Sequence, residues 1–319
     1  MRPLEIKEDG FKHLDRAVEL CARHEIYTII DLHALPGFQN QHWHSDNPTH
    51  KALFWKHKHF QDRIVNIWEA IAERYKDNPW VAGYNPINEP ADPTEKAIMP
   101  VYRRLYEAIR AVDPNHIIFL EGHRYSQDFN MFGDPWENVV YTNHDYALPG
   151  FADGGPYPGV SRGKYVDKEV LEQTFLMRSS YILEHDVPIW VGEFGPIYKG
   201  EEEADAMRYQ LLRDQLEIYT RYGANWAIWT YKDIGLQGVV YAAQFFPESV
   251  EVCLSLRREP DRGDGVLVLG RCSELLRAQG VDLPEDLVRS SLTLSVGTAI
   301  HVAPPQRRIG PHEQLEALQ

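Results

Sequence analysis

Cysteine is scarce in this chain: Cys21, Cys253 and Cys272 are the only three among 319 residues. So few, odd in number and widely spaced, they make a disulfide framework an unsuitable reading and favour a reducing compartment. Basic residues are also short, with 33 Lys and Arg against 47 Asp and Glu, for a formal charge of -14. A nucleic-acid partner needs clustered cations against its phosphates, and no basic stripe supplies them. No apolar run approaches the roughly 20 residues of a bilayer-spanning helix, so no membrane partner is expected. The start, Met1-Arg2-Pro3-Leu4-Glu5, lacks the apolar core of a secretory signal, and a cytoplasmic location is the expectation. Neither G-x-G-x-x-G nor G-x-x-x-x-G-K-[ST] occurs, which leaves a nucleotide cofactor without support.

What the chain has in quantity is apolar surface. Hydrophobic residues make up 43% of it, enough for a sizeable core in one large domain or a barrel with an appendage. Phe11, Leu14, Val18 and Cys21 recur at helical spacing behind the acidic pair Glu8-Asp9 and predict a helix over 9–24. The β-branched and aromatic run from Ile26 to His33 predicts a buried strand, closed by the Pro36-Gly37 turn. A His- and Trp-rich loop at 34–52 leads to an amphipathic helix carrying Ile64, Ile67, Trp68, Ile71 and Tyr75. Further strands are predicted at 80–86, 117–121, 139–142, 188–192 and 224–231, and helices near 95–111, 167–185 and 202–222. Six strands in such an alternation imply parallel β-α-β units, which an open sheet or a closed eight-stranded barrel would both satisfy. A barrel presents polar residues at the carboxyl ends of several strands. His33, Asn88-Glu89, Glu121, His144 with Tyr146, Glu193 and Trp229 occupy such positions, one set for nearly every strand.

Cleavage of a glycosidic bond requires a proton donor for the leaving oxygen and a second carboxylate that attacks the anomeric carbon or activates water. Glu89 and Glu193 are the best pair. A lone strand-end Glu is more often a solvated charge or part of a helix N-terminus. The Asn before Glu89, the glycines around Glu193 and the imidazoles and aromatics at neighbouring strand ends favour chemistry instead. A donor must hold its proton near neutrality, so Glu89 is expected to have a raised pKa and Glu193 to stay ionised. His42 with His44, and His57 with His59, form H-x-H pairs that would suit a metal-dependent hydrolase. No H-E-x-x-H helix accompanies them, so they read as polar loop histidines and no metal ligand is assigned. Trp43 is placed either to stack on a sugar face or to pack on the rim. Glu121 is open between substrate contact and an ion pair with Arg124. The loop at 149–165 is long enough for a lid, a subsite wall or a disordered excursion.

The stretches Tyr84-Asn85-Pro86-Ile87-Asn88-Glu89-Pro90, His144-Asp145-Tyr146, Val191-Gly192-Glu193-Phe194-Gly195 and Trp229-Thr230-Tyr231-Lys232 resemble successive strand-end motifs of glycoside hydrolase family 5. Asp31-Leu32-His33 matches the family's third-strand motif, and the likeness covers about residues 9–240. The resemblance implies an α/β fold of the (β/α)8 TIM-barrel type and a retaining mechanism without metal or organic cofactor. It implies a carbohydrate substrate such as a β-glucan, a β-glucoside or a related mannose-containing polysaccharide. By the same match, Glu89 would be the acid/base and Glu193 the nucleophile. Asn88 would hydrogen-bond the sugar 2-hydroxyl, His144 and Tyr146 would orient the nucleophile, Trp229 would stack under the sugar, and His33 would line the same subsite.

Two features depart from the family pattern. Only about eight residues precede the first helix where two further strands belong, so the barrel is expected to be incomplete. Residues 242–319 do not resemble the family and are expected to form a divergent or weakly ordered segment after a catalytic barrel over 1–241. A rival arrangement has the strand-like runs Gly265–Gly270 and Leu292–Val296 closing the sheet in permuted order. The alternative function is therefore a truncated, inactive family member or a sugar-binding remnant. No oligomeric state is assigned.

Overall fold

The computed structural model describes residues 4–151, 154–198 and 202–230, together with 232–233, 240–241 and 293–294. They pack as two compact units, one built up to His144 and from Arg178–Trp190, the other from Asp145–Met177 and the described residues from Val191. The strands in chain order are β1 (Thr28–Asp31), β2 (Val81–Asn85), β3 (Ile117–Glu121), β4 (Val139–His144), β5 (Gly159–Ser161), β6 (Lys164–Val166), β7 (Ile189–Glu193), β8 (Asn225–Ile228), β9 (Lys232–Asp233), β10 (Val240–Tyr241) and β11 (Thr293–Leu294). The helices are α1 (Glu8–Arg23), α2 (Lys58–Tyr75), α3 (Ile98–Val112), the single turn α4 (His123–Ser126), α5 (Lys168–Arg178), α6 (Ser180–Glu184) and α7 (Glu202–Arg221).

In the first unit β1, β2, β3 and β4 pair in parallel, with Ile30 opposite Tyr84, Tyr84 opposite Ile118, and Ile118 opposite Val139. Gly83 lets β2 and β3 approach, because a Cβ there would stand 2.2 Å from the Ile117 carbonyl oxygen. The helices cover this sheet with their apolar stripes. Ile64, Trp68, Ile71 and Tyr75 of α2 repeat at spacings of four and three, as do Ile98, Val101, Tyr102, Leu105 and Ile109 of α3, and all are buried. Each such side chain contributes about 1.5–3 kcal/mol by leaving water. Helix α1 buries only Val18, and polar contacts help dock it: Arg74 Nε and the Tyr75 hydroxyl donate to Asp15 at 2.7 and 2.8 Å.

In the second unit Phe194, Tyr219 and Trp226 pack edge to face, with centroids 4.9 and 5.4 Å from Phe194, and Phe175 of α5 meets Tyr219 of α7 at 5.3 Å. Residues 159–166 fold as an antiparallel hairpin, β5 with β6, so the long loop expected as a lid or an excursion contains an ordered two-stranded element. The single helix predicted over 167–185 is divided at Ser179, which belongs to the first unit; there its buried Oγ accepts a hydrogen bond from Asn143 Nδ2 at 2.9 Å.

The main sheet has the order β1-β2-β3-β4-β7-β8-β11. Six of these strands follow one another as in a β/α barrel, an incomplete set among the described residues. The seventh, β11, pairs in parallel with β8, Thr293 opposite Ala227 and Leu294 opposite Ile228. That is the edge away from β1, so the run at 292–296 meets the sheet at its last strand. The run at 265–270 lies outside the described residues.

Candidate active site

The carboxyl end of β2 delivers Asn88 and Glu89, which are 1% and 6% exposed. Glu89 has φ of 46°, a left-handed backbone that costs a non-glycine residue roughly 1–2 kcal/mol. Its neighbours hold that conformation from both sides. The Glu89 N–H donates to Glu121 Oε2 at 2.7 Å, and Asn40 Nδ2 donates to the Glu89 carbonyl at 3.0 Å. Gln39 Nε2 donates to the carbonyls of Asn88 and His33 at 2.9 and 2.8 Å. The loop after β1 is thus fastened to the peptide that carries the carboxylate.

The Glu89 side chain lies among imidazoles. Oε1 is 2.8 Å from His144 Nδ1, and Oε2 is 3.2 Å from His44 Nε2. His44 Nε2 is out of line for a hydrogen bond and has no partner for one, although that atom is buried. Burial is the largest single influence on Glu89 and pushes its pKa up, but the His144 hydrogen bond and the charges of His144, His44 and His33 together hold it below the ordinary carboxylate value. This corrects the expected raised pKa; imidazoles converging from the loop after β1 (His33 and His44) and from the end of β4 (His144) were not visible in the sequence. Burial in turn lowers the pKa of His44 more than the Glu89 charge raises it, so His44 is neutral near neutrality.

Glu121 takes neither of the two roles open to it. It is fully buried, accepts from Asn85 Nδ2 at 2.7 Å as well as from the Glu89 N–H, and has His144 Nε2 3.5 Å away. Arg124 pairs with Glu95 instead, at 2.9 Å. His33 has Nδ1 3.1 Å from Asp31 Oδ2 and Nε2 3.4 Å from Asn88 Nδ2. Trp43 stands 74% exposed, its ring centroid 6.1 Å from that of His44. Rim packing is therefore not its state, and its indole face is accessible.

In the second unit Glu193 ends β7 and is 9% exposed; its Oε2 accepts from the Tyr146 hydroxyl at 3.0 Å, and its carbonyl accepts from the Asp145 N–H at 2.9 Å. Asp145 is anchored by the Tyr219 hydroxyl on its carboxylate at 2.8 Å and by Gln215 Nε2 on its carbonyl at 2.7 Å. Gly195 has φ of 136°, and a Cβ there would lie 2.9 Å from the Trp229 carbonyl oxygen, so no larger residue fits. The Trp229 N–H donates to the Phe194 carbonyl at 2.8 Å, and the Trp229–Thr230 peptide is cis.

The structure thus brings His33, Asn88, Glu89 and His144 together in one unit, with Trp43 on the adjoining loop, and sets Tyr146, Glu193 and Trp229 in the other. Sequence reasoning missed Gln39, Asn40 and His44, and of these His44 gave a signal, as part of the H-x-H pair read as ordinary. Gln39 and Asn40 stand out only in the structure, as fully buried polar residues of a long loop.

Parallel β/α strands with buried carboxylates and aromatic residues at their carboxyl ends are the architecture of the barrel hydrolases. The chain belongs to glycoside hydrolase family 5, whose cellulase model matches residues 2–235. It is 46% identical over 257 residues to a β-xylosidase of Phanerodontia chrysosporium, a match that covers 77% of this chain and 53% of that protein. The chain therefore spans about half the length of that relative. Among solved structures, a glycoside hydrolase matches with a TM-score of 0.63 at 21% identity, covering 73% of this chain and 74% of the other. An endoglucanase of Thermotoga maritima matches with a TM-score of 0.57 at 20% identity, covering 72% of each chain. Structures of that Thermotoga protein are known with cellobiose and with mannotriose.

Proposed function

We propose that this chain is a retaining glycoside hydrolase that cleaves β-linked glycosides, with Glu89 as acid/base and Glu193 as nucleophile. The observation that carries the reading is the different setting of the two buried carboxylates. Glu89 has an imidazole beside each oxygen, His144 Nδ1 at Oε1 and His44 Nε2 at Oε2, whereas Glu193 receives the Tyr146 hydroxyl, a donor that stabilises its ionised form. In the first step a Glu193 oxygen attacks the anomeric carbon as the bond to the leaving oxygen breaks, and Glu89 passes its proton to that oxygen. In the second, Glu89 takes a proton from water as the water oxygen displaces Glu193, and the anomeric configuration is retained.

Asn88 is assigned to hydrogen-bond the sugar 2-hydroxyl, a role supported by its position one residue before Glu89 and by His33 Nε2 3.4 Å from its amide nitrogen. Trp229 offers a stacking face beside the nucleophile strand, and exposed Trp43 offers one to the leaving group. A glucan, glucoside or related substrate fits these roles, and the relative named β-xylosidase adds β-xylosides to the series. Aryl β-glucosides, β-xylosides and β-mannosides are the assay set. Glu89→Gln and Glu193→Gln are each expected to lower kcat by about 10²–10⁴-fold, with the product of the unmutated chain retaining its anomeric configuration by NMR. A chain that unfolds cooperatively and binds sugar yet turns over none of these glycosides would instead be the sugar-binding remnant.

A further inference from the structure

We propose that His44 is a positioning residue for the proton-donating oxygen of Glu89, flanking the place where the leaving-group oxygen of the substrate sits. The inference rests on the reading of Glu89 as the acid/base. His144 Nδ1 occupies Oε1 at 2.8 Å, which leaves Oε2 as the oxygen that serves the substrate. His44 Nε2 stands 3.2 Å from that oxygen, buried and without a hydrogen bond. A buried polar atom left in that state costs free energy unless something completes it. A leaving-group hydroxyl set against both Nε2 and Oε2 from the open side would complete both.

The neutral imidazole suits a partner that changes its protonation state in every turnover. With a proton on Nε2 it can donate to the leaving-group oxygen, and without one it can accept from a leaving-group hydroxyl. His44 is held by rings rather than by hydrogen bonds. His42, Trp43, His33 and Tyr125 surround it with centroids at 5.7, 6.1, 6.5 and 6.4 Å. The titratable groups facing it are His42 on its own loop, His33 past β1, Glu89 past β2, Tyr125 in the turn after β3 and His144 at the end of β4. Tyr125 is carried by a left-handed turn, with φ of 55°, 61° and 62° at Arg124, Tyr125 and Ser126, and its hydroxyl donates to Gln41 Oε1 at 3.1 Å. That turn and the loop 40–46 therefore form one wall beside Oε2.

The test compares the full chain with His44→Phe, which keeps a ring in the cluster, and with Glu89→Gln. Substrates are the phenyl and 2,4-dinitrophenyl β-glycosides of one sugar; the first leaving group needs a proton and the second does not. His44→Phe is expected to lower kcat/KM for the phenyl glycoside at least about tenfold more than for the dinitrophenyl glycoside, a smaller version of the split in Glu89→Gln. An equal loss on both substrates in His44→Phe, with the split present in Glu89→Gln, overturns the role of His44 and leaves the acid/base reading standing. No split in Glu89→Gln overturns the acid/base reading itself. Independently of turnover, the His44 imidazole followed by NMR is expected to titrate at lower pH in Glu89→Gln than in the unmutated chain, because the Glu89 charge supports its protonated form. An unchanged titration overturns the contact.

Discussion

A carboxylate without exposed surface is costly unless its oxygens are occupied, and Glu121 meets that condition by holding the residue beside it. Its Oε2 receives the Glu89 N–H and its Oε1 the Asn85 amide. Glu121→Gln sets an amide N–H against one of these two donors. The expected result is a stability loss of about 1–3 kcal/mol by urea denaturation, with a fall in kcat larger than any rise in KM. This role was not legible in the sequence, where Glu121 is simply a charge at a strand end near Arg124. Glu89 and Glu193, by contrast, stand out because each is framed by residues with definite backbone demands: Pro90 after one, Gly195 after the other. What the sequence could not convey was the protonation environment. Imidazoles from His33 and His44 after β1 and from His144 at the end of β4 meet at Glu89 only because those strand ends do, and the His144 hydrogen bond with the imidazole charges reverses the expected direction of its pKa.

Secondary elements were legible wherever the apolar period was unambiguous, as in α2 and α3, and less so where a polar contact decides the boundary. The break between α5 and α6 follows from buried Ser179 receiving Asn143, a partner remote in sequence. The hairpin of β5 and β6 was hidden by short strands without a strong alternation. The connection from α3 to β3 carries its own prediction. Asp113, fully buried, accepts from the Tyr84 hydroxyl at 2.7 Å, from the N–H groups of Asn115 and His116 at 2.9 and 3.1 Å, and lies 2.5 Å from His116 Nδ1. Burial pushes its pKa up, but these donors outweigh it and hold the carboxyl below the ordinary value. A folded pKa below the unfolded one gives stability that is present above the unfolded value and is lost as pH falls through the folded one. The urea midpoint of the unmutated chain should therefore drop in that acid window, and Asp113→Asn should be less stable at neutral pH and show a shallower acid decline.

At the scale of the molecule, the order of the six strands was readable because each β/α repeat is local, and a parallel connection needs its helix nearby in sequence. The pairing of β11 was not readable, since a two-residue contact about 65 residues after β8 leaves no periodic trace. Edge strands invite association with other chains, and β11 covers the β8 backbone along one side. Leu294→Pro removes a backbone donor from that ladder. A lower melting temperature and more light scattering on heating are the expected outcome, and identical melting and scattering would show that β11 gives the sheet no protection.

The grip on the Glu89 backbone has one more consequence. Asn40 and Glu121 hold its carbonyl and its N–H, so the main chain at this position does not depend on the identity of the side chain it carries. A scaffold of that kind separates holding from reacting. On the proposed assignment of Glu89 as acid/base, a single substitution at position 89 is expected to silence turnover while the backbone around it keeps its shape, so that such a variant would trap a bound glycoside.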